Sequence, residues 1–102
     1  MPRTLSVARV RVPLPKQAEW LETVEQLAAR LRTKGQRFWV FQSESDNDLW
    51  LEFSESHDRA SHRHVNKPSA EEHELDQKLK SLAKYDKDAT ALWVELSLTK
   101  ES

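Results

Sequence analysis

The stretch RFWVFQSESDNDLWLEF, residues 37 to 53, decides the fold of this chain. It contains two short alternating runs, at 37–43 and 48–55, which predict two β-strands. The polar segment between the runs has the length of a hairpin connection, so we expect the strands to pair antiparallel. Trp39 and Trp50 lie on these strands, and each is a candidate for the core, for a subunit contact or for the wall of a ligand site.

Upstream of the hairpin, the pattern predicts one strand and one helix. Residues 5–12 are rich in valine, and Pro13 and Pro15 follow them, which is typical of a strand that ends there. Across 16–34, apolar residues recur at helical spacing until Gly35, which is suited to a helix C-terminal cap. The members of this apolar stripe are Trp20, Val24, Leu27 and Leu31.

Downstream of the hairpin, residues 57–65 predict a short helical piece that ends before Pro68. Ser69 and Glu72 form an S-x-x-E capping box, and the leucines after them repeat at helical spacing, which predicts a second long helix. Residues 92–98 then alternate between apolar and other side chains, a pattern typical of a half-buried strand.

The element order is therefore β-α-β-β-α-β, which predicts an α+β, ferredoxin-like fold. Right-handed crossovers give a four-stranded antiparallel sheet of order 4-1-3-2 with both helices on one face. With 102 residues, the chain is long enough for one core and too short for two, so we expect residues 1–102 to form a single domain.

Composition excludes several classes of function. The formal net charge is -1, with both signs mixed along the chain, so we expect neither nucleic acid nor a membrane surface as a partner. No window approaches the roughly 20 apolar residues of a membrane span. The single glycine excludes the glycine-rich phosphate-binding loops. The absence of cysteine excludes thiolate sites and fits a cytoplasmic protein.

Alternation assigns side chains to the two faces of the sheet. The apolar set Leu49, Leu51 and Phe53 is expected to face the helices, as are the apolar residues of 92–98. Trp50, Glu52 and Ser54 are then expected on the helix-free face, together with Trp93. On the first strand, directing Ala8, Val10 and Val12 to the helices leaves Leu5, Val7, Arg9 and Arg11 on the helix-free face.

Tryptophan on a helix-free face predicts a homodimer. A contiguous, exposed aromatic surface is unusual for a monomer and usually marks an interface or a binding groove. We therefore expect two subunits to pack sheet to sheet. The predicted interface residues are Trp39, Phe41, Trp50, Trp93, Arg9 and Arg11, with the two arginines pairing across strands with Glu95 and Glu52.

These features resemble the dimeric α/β-barrel superfamily, specifically its antibiotic-biosynthesis-monooxygenase-like proteins. The resemblance rests on the element order, on the strand LWLEFSES running into the histidine-containing segment HDRASHRHV, and on the closing alternating strand. It implies a barrel built from two sheets and a cavity between sheet and helices in each subunit. Some members are cofactor-free oxygenases of aromatic polyketides, and others degrade haem.

The haem-degrading pattern implied by the resemblance is not met. It requires an asparagine on the first strand, a tryptophan near the end of the third and a ligating histidine after it. The first strand has no asparagine, Phe53 stands at the expected tryptophan position, and only His62 or His64 fits. We therefore expect no cofactor. We expect no metal site either, because His57 and His64 would lie two helical turns apart, roughly 10.5 Å.

Candidate site residues follow from chemistry and position. Histidine is the side chain best suited to proton transfer near neutral pH, and His57 follows the third strand, where a pocket mouth is expected, so it is the candidate catalytic residue. An exposed residue at a helix start is the alternative for His57. The candidate ligand-binding residues are Tyr85, His73, His62 and Phe53.

Two functions remain open at this point. The resemblance implies a homodimer that binds, and in the enzymatic case oxidises, a small hydrophobic or aromatic molecule without a cofactor. The alternative is a non-enzymatic dimeric binding or regulatory domain, because a fold alone does not determine function. The sequence leaves open whether the protein is an enzyme; an enzyme of this kind would be a monooxygenase-like oxidoreductase.

Overall fold

The computed structural model of the protein describes residues 2–98. Two helices pack on one face of an antiparallel sheet. The elements are β1 (Thr4–Arg11), α1 (Gln17–Arg32), β2 (Arg37–Gln42), β3 (Leu49–Ser56), α2 (Ala70–Leu82), β4 (Lys84–Tyr85) and β5 (Trp93–Val94). A 3-10 turn, Leu14–Lys16, leads into α1.

The sheet has the order β2-β3-β1-β4, which confirms the predicted 4-1-3-2 arrangement. The fourth position is shared, because β4 pairs with the Arg11 end of β1 and β5 pairs with its Thr4 end. The central strands β1 and β3 pair along their full lengths, with Val10 opposite Trp50 and Arg9 opposite Leu51. This register decides which side chains share a face.

The predicted apolar stripe of α1 is confirmed as the centre of the core. Its four members are each at most 5 % exposed, and Trp20 and Leu27 are essentially sealed from solvent. They pack against the β1 residues Ala8 and Val10 and against Leu79 of α2. Each fully buried side chain of this size stabilises the fold by about 1.5–3 kcal/mol.

The predicted capping box at the start of α2 is confirmed. The hydroxyl oxygen of Ser69 accepts a hydrogen bond from the backbone N–H of Glu72, and the Glu72 carboxylate accepts one from the backbone N–H of Ser69. Glu72 also lies 2.7 Å from the Lys34 ammonium, which ties the start of α2 to the turn that follows α1. The cap therefore fixes where α2 begins over the sheet.

The predicted faces of β3 were wrong. Trp50, Glu52 and Ser54 are buried on the helix side, whereas Leu49, Leu51 and Phe53 lie half-buried on the helix-free face. Pairing with β1 is the physical reason: residues opposite each other in an antiparallel pair share a face, and the exposed Arg9 stands opposite Leu51. The expectation for β1 agrees with the structure, with Ala8, Val10 and Val12 buried and Arg9 and Arg11 exposed.

The predicted closing strand over 92–98 was wrong in extent. Only Trp93–Val94 pairs with β1, and the backbone N–H of Glu95 makes one more bond, to the Arg3 carbonyl. Beyond that point the segment runs past the start of β1, and within residues 2–98 no strand lies beside it. Leu96 and Leu98 are accordingly 79 % and 92 % exposed.

The segment 57–65 forms a series of turns and no regular helix. Its backbone bonds include Val65 N–H to the His62 carbonyl at 2.9 Å and Asn66 N–H to the same carbonyl at 2.8 Å. These turns cover the end of β3 and bring Arg63 beneath α2. Within residues 2–98, no helix combines the length and apolar composition that crossing a bilayer requires.

Candidate functional site

A group of ionisable side chains is buried between the sheet and α2. We call this group, Glu52, Arg63, Asp76 and Tyr85, the buried polar cluster. Glu52 comes from the middle of β3, Arg63 from the turns that follow it, Asp76 from α2 and Tyr85 from β4. Charged groups are rarely buried unless they are paired, so the contacts within the cluster determine what it can do.

Glu52 is the centre of the cluster and is only 4 % exposed. One carboxylate oxygen lies 3.3 Å from the Arg63 guanidinium, and the other accepts a 2.5 Å hydrogen bond from the Tyr85 hydroxyl. Burial raises the pKa of Glu52 above its ordinary value, although the Arg63 charge and the Tyr85 hydrogen bond act against the rise. A carboxylate with a raised pKa is better suited to accept a proton than one in water.

Arg63 holds the cluster together through three polar contacts. Besides Glu52, its guanidinium donates to the Ser54 hydroxyl at 2.9 Å and to the Asp76 carboxylate at 3.2 Å. The same guanidinium lies 5.0 Å from the centre of the Phe38 ring. Planar, multidentate contacts of this kind favour arginine over lysine.

Asp76 and Tyr85 complete the cluster. Burial acts to raise the pKa of Asp76, but Lys80, 2.9 Å away, and Arg63 outweigh it, and the pKa is lowered. Burial, together with the neighbouring Glu52 charge, raises the pKa of Tyr85, so its hydroxyl stays protonated and acts as a donor to Glu52. The Tyr85 oxygen in turn accepts a 3.3 Å bond from the Trp20 indole N–H.

Trp50 lies beside this chain of hydrogen bonds, and its indole N–H is an unpaired donor among the described residues. Its ring is 5.2 Å from that of Trp20, and the residue is 8 % exposed. Its indole N–H meets no acceptor among the described residues. Buried donors are almost always satisfied, so an unpartnered one calls for a physical explanation such as a water or a ligand atom.

His62 and His64 lie next to Arg63, and His62 has a structural role. The His62 Nδ1 accepts a hydrogen bond from the His64 backbone N–H, so the proton is on Nε2, which donates to the Ser54 carbonyl. Burial lowers the pKa of both rings. For His64 the pKa falls to about 3, with the Arg63 charge adding to the effect of burial.

The other candidate site residues lie away from the cluster. His57 is exposed beside Gly35, the turn residue with a φ of 74°. His73 is exposed on α2, and Phe53 lies on the opposite side of the sheet, stacked at 5.1 Å on Trp39. Of the predicted ligand-binding residues, the structure brings only Tyr85 into the cluster.

The helix-free face carries an aromatic cluster, formed by Trp39, Phe41 and Phe53. Phe41 packs edge-on against Phe53 at 5.6 Å and is 58 % exposed. Arg9 and Arg11 lie on this face, but their predicted partners were wrong. Arg11 pairs with Asp46 and Asp48, Arg9 forms no ion pair within residues 2–98, and Glu95 pairs with Arg3. Trp93 stands opposite Leu5 at the edge of this face, and Trp50 is absent from it.

Sequence reasoning missed Glu52, Arg63 and Asp76. A signal for Glu52 existed, because a charged residue in the middle of a central strand must find a partner on whichever face it occupies. No sequence spacing connects Glu52 to Arg63 or Asp76, since the three come from separate elements.

In the described residues, no three His, Asp or Glu side chains come together in a way that could hold a metal ion.

Comparison with known proteins gives fold-level relatives only. No protein-family model matches the chain, and no curated protein matches it. Several solved structures do match the chain. A conserved protein of unknown function from Bacteroides thetaiotaomicron, described as a possible oxidoreductase, superposes with a TM-score of 0.72 at 16 % identity, over 92 % of this chain and 96 % of its own.

Two further structures extend the likeness. A mutant of SnoaB, a cofactor-independent oxygenase from Streptomyces nogalater, gives a TM-score of 0.72 at 14 % identity, over 96 % of this chain and 95 % of its own. Rv0793 from Mycobacterium tuberculosis gives 0.64 at 12 % identity over the full length of both chains. The predicted ferredoxin-like fold is confirmed, and the resemblance to the monooxygenase-like dimeric barrels holds at the level of fold.

The depressed pKa of His64 makes stability depend on pH. Because the folded pKa of about 3 lies below the unfolded value near 6.5, the unfolded chain takes up the proton first. The contribution of the neutral His64 ring to stability is complete above pH 6.5 and is lost as the pH falls toward 3. Between pH 7 and 5.5, the free energy of unfolding measured in urea should fall by roughly 1 kcal/mol more in the wild type than in His64→Gln. Equal losses in both proteins would contradict a buried, neutral His64.

Removing Arg63 should leave Glu52 as an uncompensated buried charge. We expect Arg63→Met to destabilise the protein by about 3–5 kcal/mol, measured by chemical denaturation at pH 7.5. Adding Glu52→Gln to that variant should restore part of the loss, since the stranded charge is then gone. Arg59→Met, at an exposed position four residues away, is the matched control. A double variant less stable than Arg63→Met would rule out this account.

Proposed function

We propose that the protein binds a small aromatic molecule between its sheet and helices and oxidises it with molecular oxygen, with Glu52 as the general base. The observation that carries the proposal is the Glu52 carboxylate, which is buried with a raised pKa and is linked through the Tyr85 hydroxyl to the indole N–H of Trp20. Buried groups with perturbed pKa values cluster at functional sites. The fold shared with a cofactor-independent oxygenase supports the same kind of chemistry.

Glu52 and Trp50 supply complementary groups for such a reaction. They are two residues apart on β3 and share its helix-side face, so their Cα atoms are roughly 6–7 Å apart. Glu52 accepts a proton from an acidic carbon of the substrate. The free indole N–H of Trp50 stabilises the negative charge that develops on a conjugated substrate oxygen. Arg63 and Tyr85 hold the carboxylate in position.

The reaction balances with oxygen as the only oxidant. Loss of a proton from a ring methylene to Glu52 gives a carbanion, which transfers one electron to oxygen. Recombination of the two radicals and return of the proton form a carbon hydroperoxide. The hydroperoxide loses water across its C–H and O–O bonds, giving the ketone, so the methylene and one oxygen molecule become a carbonyl and one water.

Glu52 replaces His57 in this proposal as the proton acceptor. His57 is exposed beside Gly35, where water competes for any substrate proton. Glu52 is shielded from water, and electrostatic contacts are stronger in such surroundings. His57 as a catalytic residue stays a prediction from the sequence.

A second function, a dimeric binding domain without turnover, has one observation in its favour. The Trp20 and Trp50 rings contact each other between sheet and helices, in the space that a ligand would occupy. A substrate therefore has to displace a ring, most simply that of Trp50, whose N–H makes no bond. A protein that never admits a substrate would keep both rings in place.

The protein acts as a homodimer in this proposal. The aromatic cluster, with the half-buried Leu51 beside it, forms an apolar surface on the helix-free face. Sheets commonly pack face to face at about 10 Å, which would bury these rings against a second copy. The exposed leucines at 96 and 98 supply further apolar surface at the end of the described chain.

Glu52→Gln tests the catalytic proposal with anthrone, an aromatic ketone whose methylene is acidic. We expect the wild type to consume oxygen and form anthraquinone, and the variant to lose about 100-fold or more in rate. The wild-type rate should rise with pH through the raised pKa of Glu52, because only the carboxylate accepts the proton. An oxygen electrode measures the oxygen consumed, and absorbance measures the anthraquinone formed.

Glu22→Gln, at an exposed position on α1, is the matched control and should retain the wild-type rate. Anthrone that binds, shown by quenching of tryptophan fluorescence, without consuming oxygen in the wild type would favour the non-enzymatic domain. A Glu52→Gln variant that is folded and oxidises anthrone at the wild-type rate would exclude Glu52 as the base.

Phe41→Glu tests the dimer. Placing a charge in the aromatic cluster should convert a sheet-to-sheet dimer into monomers at micromolar concentration, measured by sedimentation velocity. Leu14→Glu is a close control, because Leu14 is 59 % exposed, against 58 % for Phe41, and lies off this face. A wild type that sediments as a monomer would disprove the proposed assembly.

A further inference from the structure

A cleft at the β4 edge of the helix-free face has the features of a second binding site. It has a volume of about 240 Å³ and is lined by Arg9, Arg11, Leu49, Lys84, Tyr85 and Asp86. Glu52 lies on the helix side of the sheet, whereas the cleft opens on the helix-free side, and Tyr85 borders both the cleft and the buried polar cluster. Because β4 and β2 are opposite edges, the cleft also lies at the margin of the face on which we propose dimerisation.

Strand pairing places the charged side chains of the cleft together. Lys84 stands opposite Arg11, and the backbone N–H of Asp86 donates to the Arg9 carbonyl at 3.1 Å, which continues the ladder by one residue. Residues opposite one another share a face, so the four side chains point to the helix-free side. Leu49, opposite Arg11 on β3, supplies the apolar wall.

The cleft has positive charge that the described residues do not neutralise. Arg11 is paired with Asp46 and Asp48, at 3.0 and 2.8 Å. By contrast, Arg9 and Lys84 form no ion pair with any residue in the described range 2–98. With Asp86 as the single acid, the unpaired groups of the cleft carry a net charge of about +1, which attracts an anion.

Asp86 adds a second requirement. Its Oδ1 atom is buried and meets no hydrogen-bond donor among the described residues. Arg9 stands opposite Asp86, yet no salt bridge joins them, so the arginine fork and the carboxylate oxygen both remain available to a third group. A ligand that fits has to bring a donor for Asp86 as well as an anion for the cations.

We propose that this cleft binds a small aromatic carboxylate that carries a hydroxyl group at the far end of its ring. The carboxylate is held by Arg9 and Lys84, the ring packs on Leu49, and the hydroxyl donates to Asp86. Lys84 and Asp86 are two residues apart on an extended strand, roughly 6–7 Å, which suits substituents at opposite ends of one ring. An adjoining cleft shares Arg9 and Leu49 and continues the apolar surface along Phe41 and Leu51.

The test is binding of 4-hydroxybenzoate, followed by calorimetry and by amide shifts in the NMR spectrum. The wild type should bind 4-hydroxybenzoate more tightly than benzoate, which lacks the donor, or 4-hydroxybenzamide, which lacks the charge. Arg9→Gln and Lys84→Gln should each weaken binding about tenfold. Asp86→Ala should abolish the preference for 4-hydroxybenzoate over benzoate. Arg32→Gln, an exposed charge change on α1, should bind as the wild type does.

The following outcomes would overturn the proposal. They are no binding by the wild type, an amide that binds as tightly as the acid, and equal affinities for Arg9→Gln and Arg32→Gln. Shifts centred on the Trp50 indole N–H would place the probe in the helix-side space and overturn it as well. Oxidation of anthrone and binding of 4-hydroxybenzoate are measured separately on the wild type, so a failure of the proposed oxidation and a failure of this site are distinguishable.

Discussion

The contact between Glu52 and Arg63 is the constraint on which the rest of the structure depends. A carboxylate in the middle of a central strand, 4 % exposed, is tolerated only because a guanidinium and a phenol reach it. Arg63 can do so only if the segment after β3 folds back under α2, and Tyr85 only if the chain returns beside β1 after α2. The turns over 57–65 and the short strand β4 thus each supply one partner of this buried charge. His62 adds to the same arrangement by donating to the Ser54 carbonyl.

The sheet is used on both sides, and each side has a different chemistry. The helix side holds the core, the buried polar cluster and the unpartnered indole N–H of Trp50. The helix-free side holds the aromatic cluster and, at the β4 edge, the basic cleft. Because alternate residues of one strand serve opposite faces, β3 contributes to both sides at once: Glu52 to one and Phe53 to the other. A change of register by one residue would therefore exchange the two functions of the strand.

Prediction from the sequence succeeded where a local pattern carries the information. The α1 stripe and the Ser69 capping box were recognisable because helical spacing and cap chemistry act over a few residues. The strand order followed from the element order and the handedness of crossovers. The predicted faces of β3 were wrong, because apolar content alone does not decide burial on this strand. In this sheet both faces are apolar enough to be covered, and pairing with β1 decided the matter instead.

By itself, the sequence determined the α+β fold, the positions of the main elements and the presence of an unusually aromatic sheet. Only the tertiary structure decided which side of the sheet each aromatic residue occupies, and that Glu52, Arg63, Asp76 and Tyr85 meet. The physical reason is the distance along the sequence over which each interaction acts. Helix periodicity and capping are short-range interactions that leave a mark on neighbouring residues. The partner of a buried charge is instead chosen by packing between distant segments. No pattern in the sequence therefore singles out Arg63 among the arginines as the partner of Glu52.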